Sequence, residues 1–189
     1  MEPIETFKSF ALISFIISIL SGSYMVWKGP RDKTKSVSFH AATAKKKLYF
    51  IYAIIFLTST ILFYLFCINW FIPTFQLSFG FNFLLQIMTV LLFLTALIPE
   101  AGKGIKIHAI VAYGFAFVMM LLLLFVATSD LVSLFARIVA GVTMGWMALG
   151  WYLFFFSSYK QLVVTYYLPY QYSYIILFCL SIAAATYMR

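Results

Sequence analysis

Long apolar stretches separated by short polar segments dominate this sequence. Each stretch is close to the ~20 residues with which an α-helix crosses ~30 Å of hydrocarbon, and none alternates every second residue as a membrane β-strand does. A helix satisfies its own backbone hydrogen bonds where no water is available, so we predict an all-α fold. We expect a polytopic transmembrane bundle of about six helices, forming one domain over residues 1–189. The six predicted spans are Phe10–Trp27, Leu48–Phe71, Gly80–Ile98, Ile105–Ala127, Leu131–Phe156 and Tyr170–Met188.

Residues that end or begin helices lie at the borders of these stretches. Pro73, Pro99 and Pro169 fall at predicted span ends, where a missing backbone donor does no harm. Ser129-Asp130 is a predicted N-cap for the fifth helix. The first stretch lacks a small-x-small cleavage site and ends in Trp27-Lys28, so we interpret it as an anchor rather than a signal peptide.

The charge of the chain is concentrated in one connection. The sequence is 65% hydrophobic and 10% charged, with 13 Lys and Arg against 5 acids, and seven of the 13 lie between Lys28 and Lys47. No aromatic-plus-basic recognition module accompanies them, so we expect anionic lipid headgroups and not nucleic acid as partners. Lys45, Lys46 and Lys47 are the predicted membrane-surface residues. We expect the segment itself to be a solvated loop; a short surface helix is the alternative.

Basic residues alternate between connections, which predicts the orientation. The first, third and fifth connections carry Lys or Arg, whereas the second has none and the fourth has only Asp130. The positive-inside rule places the three basic connections in the cytoplasm and both termini outside, with Arg189 as an exception. We therefore expect a multi-pass protein of a plasma membrane or a bacterial inner membrane.

Arg137 is the residue within a predicted span that most invites a function. It lies about seven residues into the fifth span, or ~10 Å below its outer end, and an intramembrane cation normally faces a partner or a wet cavity. Helix directions place Gln86, Asn82 and Ser14 at comparable depth. We therefore predict a ligand-binding pocket for an anionic or polar headgroup. Snorkelling of Arg137, or bonding to neighbouring carbonyls and amides, is the structural alternative.

Small residues on the fifth helix predict close packing. Gly141 and Gly145 form a GxxxG pair and Gly150 follows, and such faces let helix backbones approach closely. We expect this packing to be intramolecular, with a dimer seam as the alternative. Six aromatic residues near the predicted membrane borders are interpreted as interfacial anchors: Trp27, Trp70, Tyr166, Tyr167, Tyr170 and Tyr172.

Catalytic and cofactor chemistry is poorly represented. His40 and His108 could form a bis-histidine haem or metal pair, but a solvated or interfacial pair of histidines is the simpler interpretation. Cys67 and Cys179 lie in apolar stretches without metal-ligand spacing, which predicts buried thiols. With no GxSxG motif and few clustered acids, we expect no catalytic residues, no metal, no cofactor and no enzymatic activity.

The stretch LIPEAGKGIKIHAIVAYGFAF, from Leu97 to Phe117, resembles the middle of a prokaryotic membrane family known as domain of unknown function 998. In that family a helix ends in Pro and an acid, a short loop follows, and a His opens the next helix. Here these residues are Pro99, Glu100 and His108. The resemblance implies a six-span fold and a prokaryotic membrane, with no activity attached. It directs attention to Glu100 and His108, for which we predict a loop clasp.

Two functions fit these observations. The first is a non-enzymatic six-helix bundle that binds a lipid or a membrane partner, as a monomer or a homodimer. The second is a small transporter, permease or channel subunit with an outward polar pocket at Arg137. A conduit requires a continuous polar path or a symmetric assembly, whereas a lipid site requires only a cleft of half the membrane depth.

Overall fold

Helices account for nearly all of the regular structure in this chain. The structure, a computed structural model, describes residues 3–188, with side chains from Glu5 onward, so the prediction for Arg189 lies outside the described residues. No strand occurs within 3–188. The helices are α1 Pro3–Lys28, α2 Val37–Thr43, α3 Lys46–Phe66, α4 Ile72–Phe75, α5 Phe79–Leu97, α6 Ile105–Thr128, α7 Leu134–Phe155, α8 Lys160–Thr165 and α9 Tyr167–Tyr187.

Six segments are long and apolar enough to cross a membrane, which confirms the predicted fold class. They are Glu5–Lys28, Lys46–Phe75, Phe79–Leu97, Gly102–Thr128, Leu134–Phe155 and Tyr167–Tyr187. Many large apolar side chains on these segments are exposed, among them Leu20 at 64% and Ile110 at 72%. Such surfaces suit a lipid environment, so the chain is consistent with a multi-pass integral membrane protein.

The chain forms two compact units. Unit 1 comprises residues 3–31 and 37–122, and unit 2 comprises residues 32–36 and 123–188. In unit 1, α1 packs along α3, and α3 packs along α5. The aromatic core of unit 1 is almost inaccessible to solvent; its most buried large side chains include Phe66, Trp70, Phe71, Phe81 and Leu85.

A hydroxyl cluster joins α1 to α3 inside unit 1. The Ser59 and Ser14 hydroxyls lie 3.0 Å apart, and the Ser59 hydroxyl also contacts Ser18 at 2.6 Å and the Ser14 carbonyl oxygen at 2.9 Å. Small side chains allow the two helix backbones to approach, and the mutual hydrogen bonds satisfy hydroxyls that would be costly to leave unpaired in an apolar interior.

Pro73 does not end the second span, contrary to expectation. The helix passes from α3 through a π-helical turn, Cys67–Phe71, into α4 and ends at Gln76, whose φ is 48°. Proline has no backbone N–H, so the carbonyl four residues earlier loses its donor. The turn preceding Pro73 widens accordingly, and the Ile72 N–H bonds to the Cys67 carbonyl oxygen. Trp70 lies within this turn at 2% exposure, so it is a core residue and not an interfacial anchor.

In unit 2, one face of α7 packs against α9. That face contains Ala136, Ala140, Thr143, Met147 and Gly150. The Thr143 hydroxyl lies 3.1 Å from the Ser181 hydroxyl, and the Tyr170 hydroxyl donates to the Met147 carbonyl oxygen at 3.0 Å. Small residues bring the two helices together, and these two contacts pair the polar groups that the packing buries.

The glycines of α7 divide between two environments. A Cβ at Gly150 would overlap the ring and hydroxyl of Tyr170, so this glycine packs inside unit 2 as expected. Within unit 2, no heavy atom lies within 4 Å of a Cβ position at Gly141 or Gly145, apart from neighbouring atoms of α7 itself. Close packing at these two positions, intramolecular or at a dimer seam, therefore stays a prediction.

Candidate functional site

The lysines at the end of α1, at the start of α3 and around the start of α6 lie at one end of unit 1. The Tyr49 hydroxyl, near the start of α3, donates to the Ala96 carbonyl oxygen near the end of α5 at 2.8 Å. His108, near the start of α6, contacts the carbonyl oxygen of Ile98. The end of α1 and the starts of α3 and α6 therefore cluster at one end, which we call the basic end. Its exposed cations are Lys28, Arg31, Lys45, Lys46, Lys47, Lys103 and Lys106.

The predicted membrane-surface lysines have a setting that suits an anion. Lys45, Lys46 and Lys47 are all exposed, Lys45 is the N-cap residue of α3, and the first turn of that helix contains no acid. The positive end of the helix dipole thus coincides with three cations and with no acid in the same turn. Nearby, Lys28 Nζ lies 4.1 Å from the ring centre of Trp27, a side chain that is 56% exposed.

The segment between α1 and α3 is only partly the predicted loop. It contains the short helix α2, and His40 on that helix is completely buried. A Cβ at Gly29 would lie 3.1 Å from the His40 ring nitrogen Nδ1, so the glycine permits this close approach. The expectation of a solvated or interfacial histidine is wrong at His40, because α2 packs against the end of α1. It is also wrong at His108, which is 2% exposed.

Glu100 and His108, the predicted clasp residues, lie close together. His108 is buried, with Nδ1 2.5 Å from the Ile98 carbonyl oxygen and Nε2 3.5 Å from a Glu100 carboxylate oxygen. The connection between them is tight: Gly102 has a φ of +57°, and a Cβ at Gly104 would lie 2.9 Å from the Pro99 carbonyl oxygen. Two glycines thus allow a turn that returns the acid to the first turns of α6.

Arg137 occupies a shallower position than predicted. The fifth span begins at Leu134 with Ser133 as its N-cap, not at Ser129-Asp130. The reason is a turn, closed by the hydrogen bond from the Val132 N–H to the Ser129 carbonyl oxygen, that occupies this segment before the helix starts. Arg137 is therefore the fourth helical residue, and the estimate of about seven residues of depth is wrong.

The contacts of Arg137 are made across the connection between α6 and α7. Its Nε donates to the Ala127 carbonyl oxygen at 3.1 Å, and its Nη1 donates to an Asp130 carboxylate oxygen at 3.1 Å. Ala127 lies in the last turn of α6, where a cation complements the helix dipole. The pairing with Asp130 joins two residues that are seven apart in the sequence. The bond to the Ala127 carbonyl oxygen corresponds to the alternative in which Arg137 bonds to neighbouring carbonyl groups.

The other residues of the predicted Arg137 pocket all belong to unit 1. Ser14 is buried in the hydroxyl cluster with Ser59, Gln86 is exposed, and Asn82 is partly buried near the start of α5. The Asn82 side-chain oxygen has no hydrogen-bond partner within the described chain. The pocket that would combine them with Arg137 stays a prediction.

The possible metal ligands and the cysteines of residues 3–188 add no further candidate site. Within residues 3–188, no group of three or more His, Cys, Asp and Glu side chains could hold a metal ion. Cys67 is buried, as predicted, whereas Cys179 is partly exposed. Neither thiol is part of the basic end or of the Glu100–His108 contact.

Sequence reasoning missed several polar contacts that organise unit 1. Ser59 is central to the hydroxyl cluster, and Tyr49 ties α3 to α5, yet neither was singled out. Lys8 was also missed: its Nζ lies 2.7 Å from Glu5 and 5.2 Å from the Trp70 ring centre. A serine in a long apolar run is a detectable signal for Ser59, but its partners on α1 depend on the packing of the helices.

Comparison of the chain with protein-family models, with curated proteins and with solved structures finds no match in any of the three. The resemblance of Leu97–Phe117 to domain of unknown function 998 accordingly stays a prediction.

Proposed function

We propose that this integral membrane protein binds anionic lipid headgroups at the basic end of unit 1. The observation that carries the proposal is the collection of exposed cations at this end, contributed by α1, α3, α6 and the connections between them. Two acids accompany these cations: Glu100, whose side chain is only 22% exposed and lies beside His108, and Asp32, which follows Arg31 and accepts hydrogen bonds from Thr34. The positive charge is thus left largely uncompensated.

The physical chemistry of a membrane surface supports this partner. A basic residue near an anionic leaflet contributes about 1 kcal/mol to the attraction, which decays within a Debye length. Lys45, Lys46 and Lys47 add the positive end of the α3 dipole to their own charges. Exposed Trp27 beside Lys28 suits the headgroup region, where an amphipathic ring has both apolar and polar surroundings.

The same cations support the predicted orientation. If the basic end faces the cytoplasmic leaflet, its lysines satisfy the positive-inside rule, and Glu5 and Lys8 lie near the opposite surface. A plasma membrane or a bacterial inner membrane would supply the anionic lipid. Accessibility of a cysteine placed at Lys46 to an impermeant reagent, in intact cells and in inverted vesicles, tests this orientation.

The lipid proposal can be tested by native mass spectrometry of the detergent-solubilised chain titrated with phosphatidylglycerol or phosphatidylcholine. We expect preferential binding of phosphatidylglycerol. Replacing Lys45, Lys46 and Lys47 by Gln should weaken that binding by about a hundredfold at low salt, since three contributions of about 1 kcal/mol are lost. The matched control is Lys8→Gln, which removes a cation from the opposite end of unit 1.

The two lipids make the result decisive. Equal affinity for phosphatidylglycerol and phosphatidylcholine, or unchanged phosphatidylglycerol binding in the triple variant, would contradict the proposal. An equal loss in the Lys8→Gln control would also contradict it, because that result would trace binding to overall charge and not to the basic end.

A further inference from the structure

Arg137 retains hydrogen-bonding capacity beyond its two contacts. Its Nε donates to the Ala127 carbonyl oxygen, and one N–H of Nη1 donates to Asp130 Oδ1, each at 3.1 Å. The second N–H of Nη1 and both N–H groups of Nη2 have no acceptor within residues 3–188. The side chain is 33% exposed, so a ligand at the protein surface can reach this guanidinium group, which its two contacts hold in place.

Asp130 places the opposite charge beside these donors. Its side chain is 93% exposed, and Arg137 is its partner among the described residues. The rest of its carboxylate is therefore available to a donor from outside the chain. Asp130 and Arg137 are the charged residues of the segment 107–159, and α9, which packs on α7, has no charged residue. The pair is thus a guanidinium and a carboxylate side by side, with no net charge.

The pair lies at a membrane border. The connection 129–133 joins the spans Gly102–Thr128 and Leu134–Phe155, and Arg137 lies about 6 Å along α7 from its start. Large apolar side chains near the pair are exposed: Leu131 at 55%, Leu134 at 70% and Ile138 at 56%. Exposed apolar side chains at this depth suit lipid, so the pair is placed to meet a lipid headgroup.

A shallow groove continues from Arg137 along α7. Gly141 and Gly145 follow Arg137 at a spacing of four residues, so the three positions form one row along the helix. Within unit 2, the space beside each glycine is open. Ile138 and Val142, which are 56% and 60% exposed, follow the same row on one side. Glycines between larger apolar side chains leave a groove that fits an acyl chain.

We propose that this site binds phosphatidylethanolamine. The phosphate accepts hydrogen bonds from the remaining N–H groups of Arg137, the ammonium donates to Asp130, and an acyl chain lies along Gly141 and Gly145. A guanidinium group makes charge-assisted hydrogen bonds to phosphate. The phosphate and ammonium of this headgroup are joined by a short ethylene linker, so its two charges match two adjacent opposite charges. The site goes beyond the basic end, and neither proposal depends on the other.

The chemistry of the pair distinguishes this lipid from others. Phosphatidylcholine has the same two charges, but its trimethylammonium group has no N–H to donate to Asp130. Phosphatidylglycerol has no ammonium, so its phosphate would meet Arg137 with the Asp130 carboxylate unmatched. The basic end, by contrast, has an excess of cations and favours an anionic headgroup.

Native mass spectrometry of the detergent-solubilised chain, titrated with phosphatidylethanolamine or phosphatidylcholine of identical acyl chains, tests the proposal. We expect about tenfold tighter binding of phosphatidylethanolamine, the lower end of what a hydrogen bond between charged groups contributes. Asp130→Asn should abolish this preference, because a neutral amide attracts the ammonium weakly. Arg137→Gln should weaken the binding of both lipids by about tenfold.

Matched controls separate this site from overall charge and from the basic end. Lys160→Gln removes an exposed cation that follows the other end of α7 and should leave both affinities unchanged. Replacing Lys45, Lys46 and Lys47 by Gln should lower phosphatidylglycerol binding without changing the preference for phosphatidylethanolamine over phosphatidylcholine. Failure of one proposal is therefore distinguishable from failure of the other.

Gly141→Leu tests the groove. The new side chain would fill the open row below Arg137, so we expect it to weaken both lipids equally and to leave the headgroup preference intact. Soluble glycerophosphoethanolamine, which has the headgroup without acyl chains, should bind much more weakly than the lipid. Circular dichroism verifies that each variant retains its helix content.

Four results would overturn the proposal. Equal affinity for phosphatidylethanolamine and phosphatidylcholine, or an unchanged preference in Asp130→Asn, would remove the assignment of the headgroup. Glycerophosphoethanolamine that binds as tightly as the lipid would indicate a site for a soluble molecule. Dissociation of a homodimer by Gly141→Leu, with lipid binding unchanged, would assign this face of α7 to a second copy of the chain.

Discussion

Two connections between long helices are each bridged by an acid and a basic or titratable residue, yet the burial of the two bridges differs. In the connection 98–104, the side chains of His108 and Glu100 are 3% and 22% exposed. In the connection 129–133, those of Arg137 and Asp130 are 33% and 93% exposed. In both, the acid precedes its partner by seven or eight residues, and the partner lies in the first or second turn of a helix.

Burial, and not the pairing of residue types, decides how much each bridge contributes to the free energy of unfolding. Water and salt screen an exposed ion pair, which typically contributes about 0–1 kcal/mol. Removing one partner of a buried polar contact leaves the other unsatisfied, at a cost of about 1–3 kcal/mol. The Glu100–His108 bridge should therefore matter more for stability than the Asp130–Arg137 bridge, although the latter includes a permanently charged arginine.

The largest expected effect comes from His108→Ala. The substitution removes the partner of the Ile98 carbonyl oxygen and the contact with Glu100, so we expect the free energy of unfolding to fall by about 2–3 kcal/mol. Chemical denaturation in detergent micelles, followed by circular dichroism, measures the change. A loss no larger than that of Arg137→Ala would remove the distinction between the two connections.

We expect a smaller loss in the free energy of unfolding for Arg137→Ala. The variant loses the hydrogen bond to the Ala127 carbonyl oxygen and the favourable cation at the end of α6, together about 1 kcal/mol or less. The same denaturation measurement applies, with Arg137→Lys as the control that retains the charge. A loss of several kcal/mol, unrecovered by lysine, would instead indicate that Arg137 is more deeply buried than its contacts imply.

We expect the smallest change in the free energy of unfolding for Asp130→Asn. Because this side chain is almost fully exposed, its charge is screened, and we expect no measurable change in the free energy of unfolding. The matched substitution at the buried bridge, Glu100→Ala, should be clearly destabilising. Equal effects of the two substitutions at neutral pH would show that burial does not separate these bridges.

Element type and approximate position were predictable because lipid-spanning segments obey a simple rule. A helix that crosses hydrocarbon needs about 20 apolar residues whatever its neighbours are, so composition along the chain determines its existence. Boundaries were less predictable. The helix through Pro73 continues by widening into a π turn, and the helix after Asp130 begins at Leu134 because a local turn intervenes.

Proximity and exposure of candidate residues were easiest to anticipate where they depend on a short stretch of chain. Glu100 and His108 are joined by a short connection with two glycines, so their proximity depends on few residues. The exposure of Lys45–Lys47 likewise follows from charge at a helix end. The setting of Arg137 was misjudged because its depth depends on where its helix starts, and the burial of His40 depends on packing between α2 and α1.

The sequence alone determined that this chain has six apolar helices and a concentration of positive charge in one connection, because hydrophobic length and charge are properties of local segments. Only the tertiary structure decided which polar groups meet: the Ser14–Ser59 contact, the packing of Gly150 against Tyr170 and the burial of His108 beside Glu100. These contacts depend on the rotation and register of one helix against another, and side-chain packing across each interface sets both.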